Sequence, residues 1–266
     1  TYAYNIRMVY ELNTNVKIDI LKEAITEILE RHEVLRSLIK EDKQGNGYQH
    51  VMDLSEHPFT IAQTELLDTR EVNSYLSKDA THVFNLASEY PIKVSIYHTP
   101  TTSVLSIVIH HIAFDGWSTE IFLNELKECY RYYSTGGVVP LNKLNLPTLS
   151  IQYKDFALWQ RSYLTGRVLE EQLSYWKGKL EGYETLNLIT DYPRPVEIDY
   201  KGKSIYFGLD KDLSNSLREV AKKLGVSLYS LLLSAYYLML RAYSNQNDIV
   251  IGTPAVSYTH LRAHET

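Results

Sequence analysis

The sequence is poor in the residues that build disulfide scaffolds, membrane spans and secretion signals. One cysteine, Cys129, among 266 residues excludes an internal disulfide and favours a reducing cytoplasm. The most apolar stretch, 228–243, contains Ser230 and Arg241 and is shorter than the roughly 20 residues of a membrane-spanning helix. The first residues have no basic segment followed by an apolar one, so we expect no signal peptide. We therefore expect a cytoplasmic protein without a membrane partner.

Excess positive charge is also lacking. The chain has 27 Lys and Arg against 32 Asp and Glu, for a net charge of -5, and the cations form no block. This balance argues against a nucleic-acid partner, which a basic patch would attract. The histidines at positions 57, 82 and 98 are scattered without the spacing of metal ligands, so no metal site is expected. Hydrophobic residues make up 44% of the chain, enough for a sizeable core.

Strand-like and helix-like patterns are mixed along the chain, which predicts a mixed α/β (α+β) fold. Strands are predicted at 4–12, on both sides of a turn at 45–47, and at 92–97, 104–109, 204–209 and 249–251. Helices are predicted from residue 20 to about 31 and at 71–80, 118–133, 151–164, 167–181, 211–224 and 228–243. Asp19 and Ser118 are expected to cap the helices that follow them.

Some predicted elements should be buried. The strand at 104–109 is almost continuously apolar and should be a central strand covered on both faces. The helix at 228–243 is also predicted to be buried. Tyr153, Phe156 and Trp159 lie at helical spacing and are expected to be packing residues.

The segment HHIAFDGWS (110–118) follows that central strand and carries the chemistry. His110 and His111 should point to opposite faces of the sheet. An imidazole that lines a cavity is a candidate general base, because its unperturbed pKa is about 6.5. Asp115 needs a partner if it is buried, and the Gly116 N–H can face an oxyanion. The other interpretation is a structural histidine pair followed by an aspartate turn.

Four segments in order resemble the condensation domains of nonribosomal peptide synthetases. HHIAFDGWS (110–118) resembles their HHxxxDG signature with its Trp-Ser extension. RHEVLRS (31–37), YKDFALW (153–159) and DIVIGTP (248–254) resemble three further motifs of the family. The agreement runs from about residue 4 to 254. HxxxDG by itself would indicate only the wider acyltransferase superfamily.

The resemblance implies a chloramphenicol acetyltransferase-like fold of two lobes with a tunnel between them. It also implies amide bond formation between a donor acyl or peptidyl thioester and an aminoacyl acceptor. Both would arrive on phosphopantetheine arms of peptidyl carrier protein domains, with an adenylation domain adjacent, so the chain itself should bind no cofactor. His111 would accept a proton from the acceptor amine or orient it, and Gly116 would help stabilise the tetrahedral oxyanion.

The resemblance also assigns supporting residues. His110 would be structural, and Arg36 would pair with Asp115 and make it an anchor for the site. Trp117 and Ser118 become candidates to line the tunnel. The first histidine disfavours a heterocyclisation domain, and Trp117 favours an L-configured peptidyl donor, with a fatty acyl donor still open.

The resemblance predicts how the chain is divided. Residues 1–188 would form a nearly complete N-terminal lobe, 189–203 a linker, and 204–255 the start of a C-terminal lobe. Residues 256–266 depart from the family and resemble the translation of a transposase-type sequencing adapter, so they are excluded from the fold prediction. Such a chain would be truncated at both ends. It would expose an apolar surface on the helix at 228–243 and would be inactive by itself.

Two other functions stay open. A stand-alone acyltransferase that uses coenzyme A would share the HxxxDG chemistry, but it would not need the extra histidine or the RHEVLRS segment. A noncatalytic carrier-docking domain would share the fold, but it would not need His111, Asp115 and Gly116.

Overall fold

The computed structural model describes residues 1–136, 146–193, 195–197, 202–203 and 205–253. It contains both helices and strands, which confirms the mixed α/β class. Two compact units are present, Thr1–Thr165 and Gly166–Thr266. The predicted linker falls within the second unit, and the division into lobes stays a prediction. The tail at 256–266, and 137–145 of the loop between the third and fourth helices, lie outside the described residues.

A four-stranded sheet and a separate hairpin form the first unit. Its strands are β1 (Asn5–Leu12), β2 (Ser37–Glu41), β3 (Gly47–Val51), β4 (Ala62–Glu65), β5 (Ile92–His98) and β6 (Ser103–His110). The order in the sheet is β1-β6-β5-β4, with β4 and β5 parallel and the other pairs antiparallel. The hairpin joins β2 to β3 across the predicted turn, where Gly45 adopts a φ of 81°.

The first unit also has four α-helices: α1 (Ile18–Arg31), α2 (Val72–Ala80), α3 (Gly116–Ser134) and α4 (Tyr153–Tyr163). A short 3₁₀ helix, Glu33–Arg36, follows α1, and a second one, Thr69–Glu71, precedes α2. The second unit contains α5 (Gly166–Lys179), α6 (Lys211–Leu224) and α7 (Leu228–Ser244).

Strand β6 is the central strand that the sequence predicts. Ile107 and Ile109 are fully buried in the main core with Ile28 of α1 and Phe122 of α3. Val108, which alternates with them, is also fully buried, so both faces of β6 are covered. Cys129 belongs to the same core, and burial raises the pKa of its thiol to about 11. A protonated, buried thiol acts as a packing group.

Helix α2 is joined to the sheet by a buried carboxylate. Asp79 accepts a hydrogen bond from the Tyr97 hydroxyl at 2.6 Å and pairs with Lys93 Nζ at 2.7 Å. Burial acts to raise the pKa of Asp79, but the bonds from Lys93 and Tyr97 outweigh it and lower the pKa. The carboxylate therefore stays charged and holds α2 against β5.

Both capping predictions are wrong, because each observed N-cap lies two or three residues before the predicted one. Helix α1 begins at Ile18 with Lys17 as its N-cap, and Asp19 lies in the first turn, where a negative charge favours the helix dipole. Helix α3 has Asp115 as its N-cap, and Ser118 is the third helical residue of a capping box. The helix therefore starts closer to the histidines than the sequence predicts.

The aromatic residues of α4 are packing residues of the helix surface and not of the core, because no residue of this helix is buried. Trp159 is 48% exposed. The rings pack on one another along the helix surface, with Trp159 and Tyr163 stacked at 5.1 Å between ring centroids. Because of their helical spacing, these rings form a row along one side of the helix.

Helix α7 is mostly exposed, so the prediction of a buried helix at 228–243 is wrong. Only Leu240 of α7 is buried, while Leu238 is 65% exposed. Within the described part of the second unit, α6 is the helix that packs against α7, and one helix covers only part of an apolar cylinder. The exposed apolar surface expected on this segment is present.

The two strands predicted in the second unit are absent from its described residues. Residues 205–209 and 249–251 are extended or irregular without a hydrogen-bonded ladder. A strand exists only when a neighbouring strand pairs with its backbone groups. The apolar pattern of these residues suits a strand, but no described segment pairs with their backbone.

Across the described ranges no single helix has the length and apolar content to cross a membrane. Helices α6 and α7 have the required length and apolar content only when taken together, and this pair is bent by 104°.

The packing of α1 against the sheet leads to a stability prediction. Leu29 is 0% exposed and Leu67 is 92% exposed in the same unit, so they form a matched pair. We expect Leu29→Ala to lower the free energy of unfolding by about 2–5 kcal/mol, because it leaves a cavity in the core. Leu67→Ala should change it by less than about 0.5 kcal/mol. Urea unfolding measures both, and equal effects would contradict the core described above.

Candidate active site

The two histidines lie where β6 leaves the sheet. His110 is the last residue of β6, and its backbone N–H donates to the Pro91 carbonyl at 2.8 Å. The His111 backbone N–H donates to the Tyr4 carbonyl, also at 2.8 Å. Segments on both sides of β6 thus hold the end of the strand. The position of the histidines is set by backbone bonds and does not depend on their own side chains.

The His110 side chain is partly buried and acts as a hydrogen-bond acceptor. Its Nδ1 accepts from the Ile112 backbone N–H at 3.1 Å. The Phe84 ring meets the imidazole edge-on at 6.1 Å between centroids, and Tyr4 lies at the same distance. Burial, helped by nearby positive charge, lowers the pKa of His110. A neutral ring can accept at Nδ1, so these contacts support the structural role expected of His110.

The next residue, His111, is exposed and lies in the turn that follows the strand. It is accessible to a substrate, as its proposed role requires. The structure therefore separates the pair, with one ring packed into the turn and the other presented to solvent.

Asp115 and Ser118 lock the start of α3 against this turn. Asp115 Oδ1 accepts from the Ser118 backbone N–H at 2.9 Å and from the Ser118 hydroxyl at 2.7 Å. The Asp115 N–H in turn donates to Ser118 Oγ at 3.3 Å. Gly116 is the first residue of the helix, where N–H groups have no partner within the helix and the dipole favours an anion. The imidazole of His111 is thus followed, five residues later, by the N–H of Gly116, which is suited to bind an oxyanion.

The predicted tunnel residues differ in what they offer. Trp117 is 59% exposed, so its indole is free to meet a substrate. The Ser118 hydroxyl both donates to and accepts from Asp115. Ser118 therefore contributes to the shape of the turn more than to substrate binding.

Arg36 holds the end of α1 through backbone carbonyls. Its guanidinium donates to the backbone carbonyls of Leu29 at 3.0 Å, Met52 at 2.5 Å and Glu30 at 3.3 Å. Arg36 Nη2 also lies 4.0 Å from the Glu30 carboxylate, and the pairing of Arg36 with Asp115 stays a prediction. Because α1 ends beside Arg36, the carbonyls of its last turn need donors. Arg36 ties the end of α1 to the residue after β3.

A buried carboxylate that sequence reasoning missed links the first motif to α3. Glu125 Oε2 lies 2.6 Å from His32 Nε2, and Glu125 Oε1 lies 3.1 Å from Arg31 Nε. Burial alone would raise the pKa of Glu125, but the His32 hydrogen bond and the two nearby cationic groups outweigh it and lower the pKa. The available signal was a glutamate on the buried face of α3 beside Leu126.

The same motif is linked to the start of α4. Gln152 Nε2 donates to the Arg31 carbonyl at 2.9 Å, and Gln152 Oε1 accepts from the Glu33 N–H at 3.2 Å. Lys154 Nζ pairs with the Glu33 carboxylate at 2.6 Å. The RHEVLRS segment is therefore a junction of three helices, and its charged residues are structural.

The described residues hold no group of three His, Cys, Asp or Glu side chains arranged to bind a metal. The turn itself presents an exposed histidine, a helix N-terminus and an exposed indole.

Comparison with known proteins places this geometry in a family. The condensation domain family matches residues 1–265. N-(5-amino-5-carboxypentanoyl)-L-cysteinyl-D-valine synthase from Amycolatopsis lactamdurans is 38% identical over 257 residues, which cover 97% of this chain and 7% of that protein. Malpinin synthetase from Mortierella alpina is 32% identical over 264 residues, which cover 97% of this chain and 3% of that protein. The chain thus spans a small part of these relatives.

The fold is similar to that of the X-domain from teicoplanin biosynthesis. The TM-score is 0.79 at 21% identity, over 90% of this chain and 53% of that one. A second structure holds that X-domain in complex with OxyB. Identity at this level shows the fold alone. The family match includes residues 256–265, and the separate origin of the tail stays a prediction.

The buried Glu125 network leads to a prediction about pH. We expect Glu125→Gln to lower the free energy of unfolding by about 1–3 kcal/mol at pH 7, because Arg31 and His32 lose their charged partner. The folded-state pKa of Glu125 is below its usual value of 4.5, so its contribution is present above that pH and is lost as pH falls through the lowered pKa. The difference between wild type and variant should therefore shrink on acidification.

Urea unfolding between pH 7 and pH 3 measures this difference. Glu128→Gln is the matched control, since Glu128 lies on the same helix and pairs with the exposed Arg131 at 2.6 Å. Its effect should stay within about 0.5 kcal/mol. A Glu125→Gln effect that does not change with pH would show that the charge of Glu125 is unimportant.

Proposed function

Since this chain belongs to the condensation domain family, we propose that it catalyses amide bond formation in nonribosomal peptide synthesis. The donor is a carrier-bound acyl or peptidyl thioester, and the acceptor is a carrier-bound aminoacyl group. The relative from Amycolatopsis lactamdurans is by name the synthase of a cysteinyl-valine peptide, which supports this choice. The observation that carries the proposal is the exposed His111 in a turn whose next helix begins at Gly116.

The reaction needs few groups from the protein. The acceptor amine attacks the thioester carbon and forms a tetrahedral oxyanion, after which the carbon–sulfur bond breaks. The thiol of the donor arm leaves with a proton, and the acyl group is now held by an amide bond on the acceptor. His111 takes the proton from the amine or orients its lone pair, and orientation alone accounts for a large part of many rate enhancements.

The Gly116 N–H is proposed to stabilise the oxyanion. It lies at the N-terminus of α3, where the partial positive charge of the helix favours a developing anion. A glycine here leaves open space: apart from its chain neighbours and the helix backbone, no atom of the described residues lies within 4 Å of where a Cβ would be. The Asp115–Ser118 capping box keeps this N–H in place, so Asp115 acts as an anchor.

The partners in this proposal are other domains. Upstream and downstream peptidyl carrier protein domains deliver the substrates on phosphopantetheine arms, and an adjacent adenylation domain selects the amino acid. The phosphopantetheine is thus part of the substrate, and the chain binds no cofactor of its own. A cytoplasmic location belongs to the same proposal.

A noncatalytic docking domain is the second candidate. It is supported by the likeness in fold to the X-domain, which forms a complex with OxyB. Such a domain binds a partner without turnover, so it would not depend on the imidazole of His111. A coenzyme A-dependent acyltransferase differs in accepting a free acyl-coenzyme A donor without any carrier domain.

Substitution of His111 separates these functions. In the full-length protein that carries this chain, we expect His111→Ala to lower the rate of amide formation by about 10²–10⁴-fold, the usual loss for a general base. The measurement is single-turnover product formation with both carriers loaded. His50→Ala is the control, since His50 is an exposed histidine on β3 outside the motif.

Near-normal turnover of His111→Ala would remove the base role. Carrier binding without any turnover in the wild type would instead support the docking function. Turnover with acyl-coenzyme A and no carrier would support the acyltransferase.

A further inference from the structure

The turn after β6 borders a small cavity that the catalytic proposal does not use. Its volume is about 120 Å³. Its apolar walls are Val34, Leu35, Ala113, Phe114, Ile121 and Phe122. We call it the Ala113 cavity. Ala113 and Phe114 lie inside the HHIAFDGWS segment, so the cavity and the proposed catalytic turn share a wall.

The polar groups that reach this cavity are already bonded within the protein. His32 and Ser118 complete its lining. His32 Nε2 is 2.6 Å from Glu125, and the Ser118 hydroxyl is 2.7 Å from Asp115. A charged or strongly polar guest would therefore lose its hydration without gaining a comparable partner. The lining favours an aliphatic guest.

The proposed reaction requires a space of this kind near His111. In an α-amino acid the reacting amine and the side chain are attached to the same carbon. If the amine lies at His111, the acceptor side chain must be accommodated within a few bonds of that point. The cavity is bordered on one side by Ala113, two residues after His111, and on the other by Ser118, two residues after Gly116.

A second cavity of about 130 Å³ also contacts Ala113 and Val34, but it fits this role less well. Its lining includes Ser37, Gln49 and Tyr153, and from the catalytic turn it contains only Ile112 and Ala113. It has no contact with the start of α3, where the oxyanion is proposed to form. The Ala113 cavity contacts the turn on both sides of Gly116.

We propose that the Ala113 cavity receives the side chain of the acceptor aminoacyl group and selects a branched aliphatic one. This inference rests on the proposed function, since it assigns the acceptor to the same site. An apolar cavity of about 150 Å³ holds one benzene ring, so a space of about 120 Å³ suits a leucine side chain. Ile121, 52% exposed on α3, lines the cavity, so a larger side chain at this position can be used to fill it.

The test compares two acceptors in the full-length protein with one constant donor. The acceptor carrier is loaded in turn with leucine and with glycine, and kcat/KM is measured for each. Since one methylene in a hydrophobic pocket is worth about 10–200-fold, the wild type should prefer leucine by more than about tenfold. Ile121→Trp fills the cavity and should lower this ratio by about tenfold or more.

Lys127→Trp is the matched control, because Lys127 is exposed on the same helix and does not line the cavity. It should leave the leucine-to-glycine ratio unchanged. A ratio that Ile121→Trp does not alter, or a wild type that prefers glycine, would overturn the proposal.

A measurement without turnover separates the cavity from the chemistry. Leucinamide carries the free amine and side chain of the acceptor, and its binding can be followed from the methyl NMR signals of Ile121. We expect saturable shifts in the wild type and in Lys127→Trp. Because the Ile121 methyls are missing in Ile121→Trp, its affinity is read from the Ala113 methyl and should be about tenfold weaker. If neither acceptor is condensed but leucinamide binds in this way, the proposed function fails while the cavity assignment stands. If leucinamide does not bind, the cavity assignment fails.

Discussion

The end of strand β6 is the constraint on which the rest of the site depends. This strand lies between β1 and β5, paired to β1 over residues 103–110 and to β5 over residues 103–109. The backbone N–H groups of His110, its last residue, and of His111 donate to the carbonyls of Pro91 and Tyr4. A shift of one residue in this register would exchange the faces of every side chain on β6. The register therefore decides which histidine packs into the turn and which is presented.

The turn is closed at its other side by the capping box of α3. Asp115 accepts hydrogen bonds from the backbone N–H and the hydroxyl of Ser118, and the Asp115 N–H donates to the Ser118 hydroxyl. The segment between His110 and Ser118 is thus fixed at both ends by hydrogen bonds that do not involve the His111 side chain. Such preorganisation lets a protein with few reacting groups accelerate a reaction, because the groups need not move when charge develops.

Two buried carboxylates hold the helices around the sheet in place. Glu125 joins the end of α1 to α3, and Asp79 joins α2 to β5. Each carboxylate has a lowered pKa because its partners outweigh the effect of burial. Removing one partner of such a group leaves an unpaired buried charge, so the helices are held in specific positions and not only by apolar contact. The charged residues of RHEVLRS take part in these ion pairs. Their structural contacts account for the segment without a catalytic role.

The amino-acid sequence by itself determined most helices and strands of the first unit, the central strand, the histidine turn and the family, but it did not reveal β4 or the two 3₁₀ helices. Each feature that it determined depends on local periodicity or on a run of specific residues, which the chain carries within a few positions. Tertiary structure alone decided which carbonyls Arg36 meets, that Glu125 pairs with His32, and that a cavity opens beside Ala113. It also decided that 205–209 and 249–251 form no ladder and that α7 stays exposed. The physical reason is that pairing, burial and cavity shape depend on residues distant in the sequence, which no local pattern specifies.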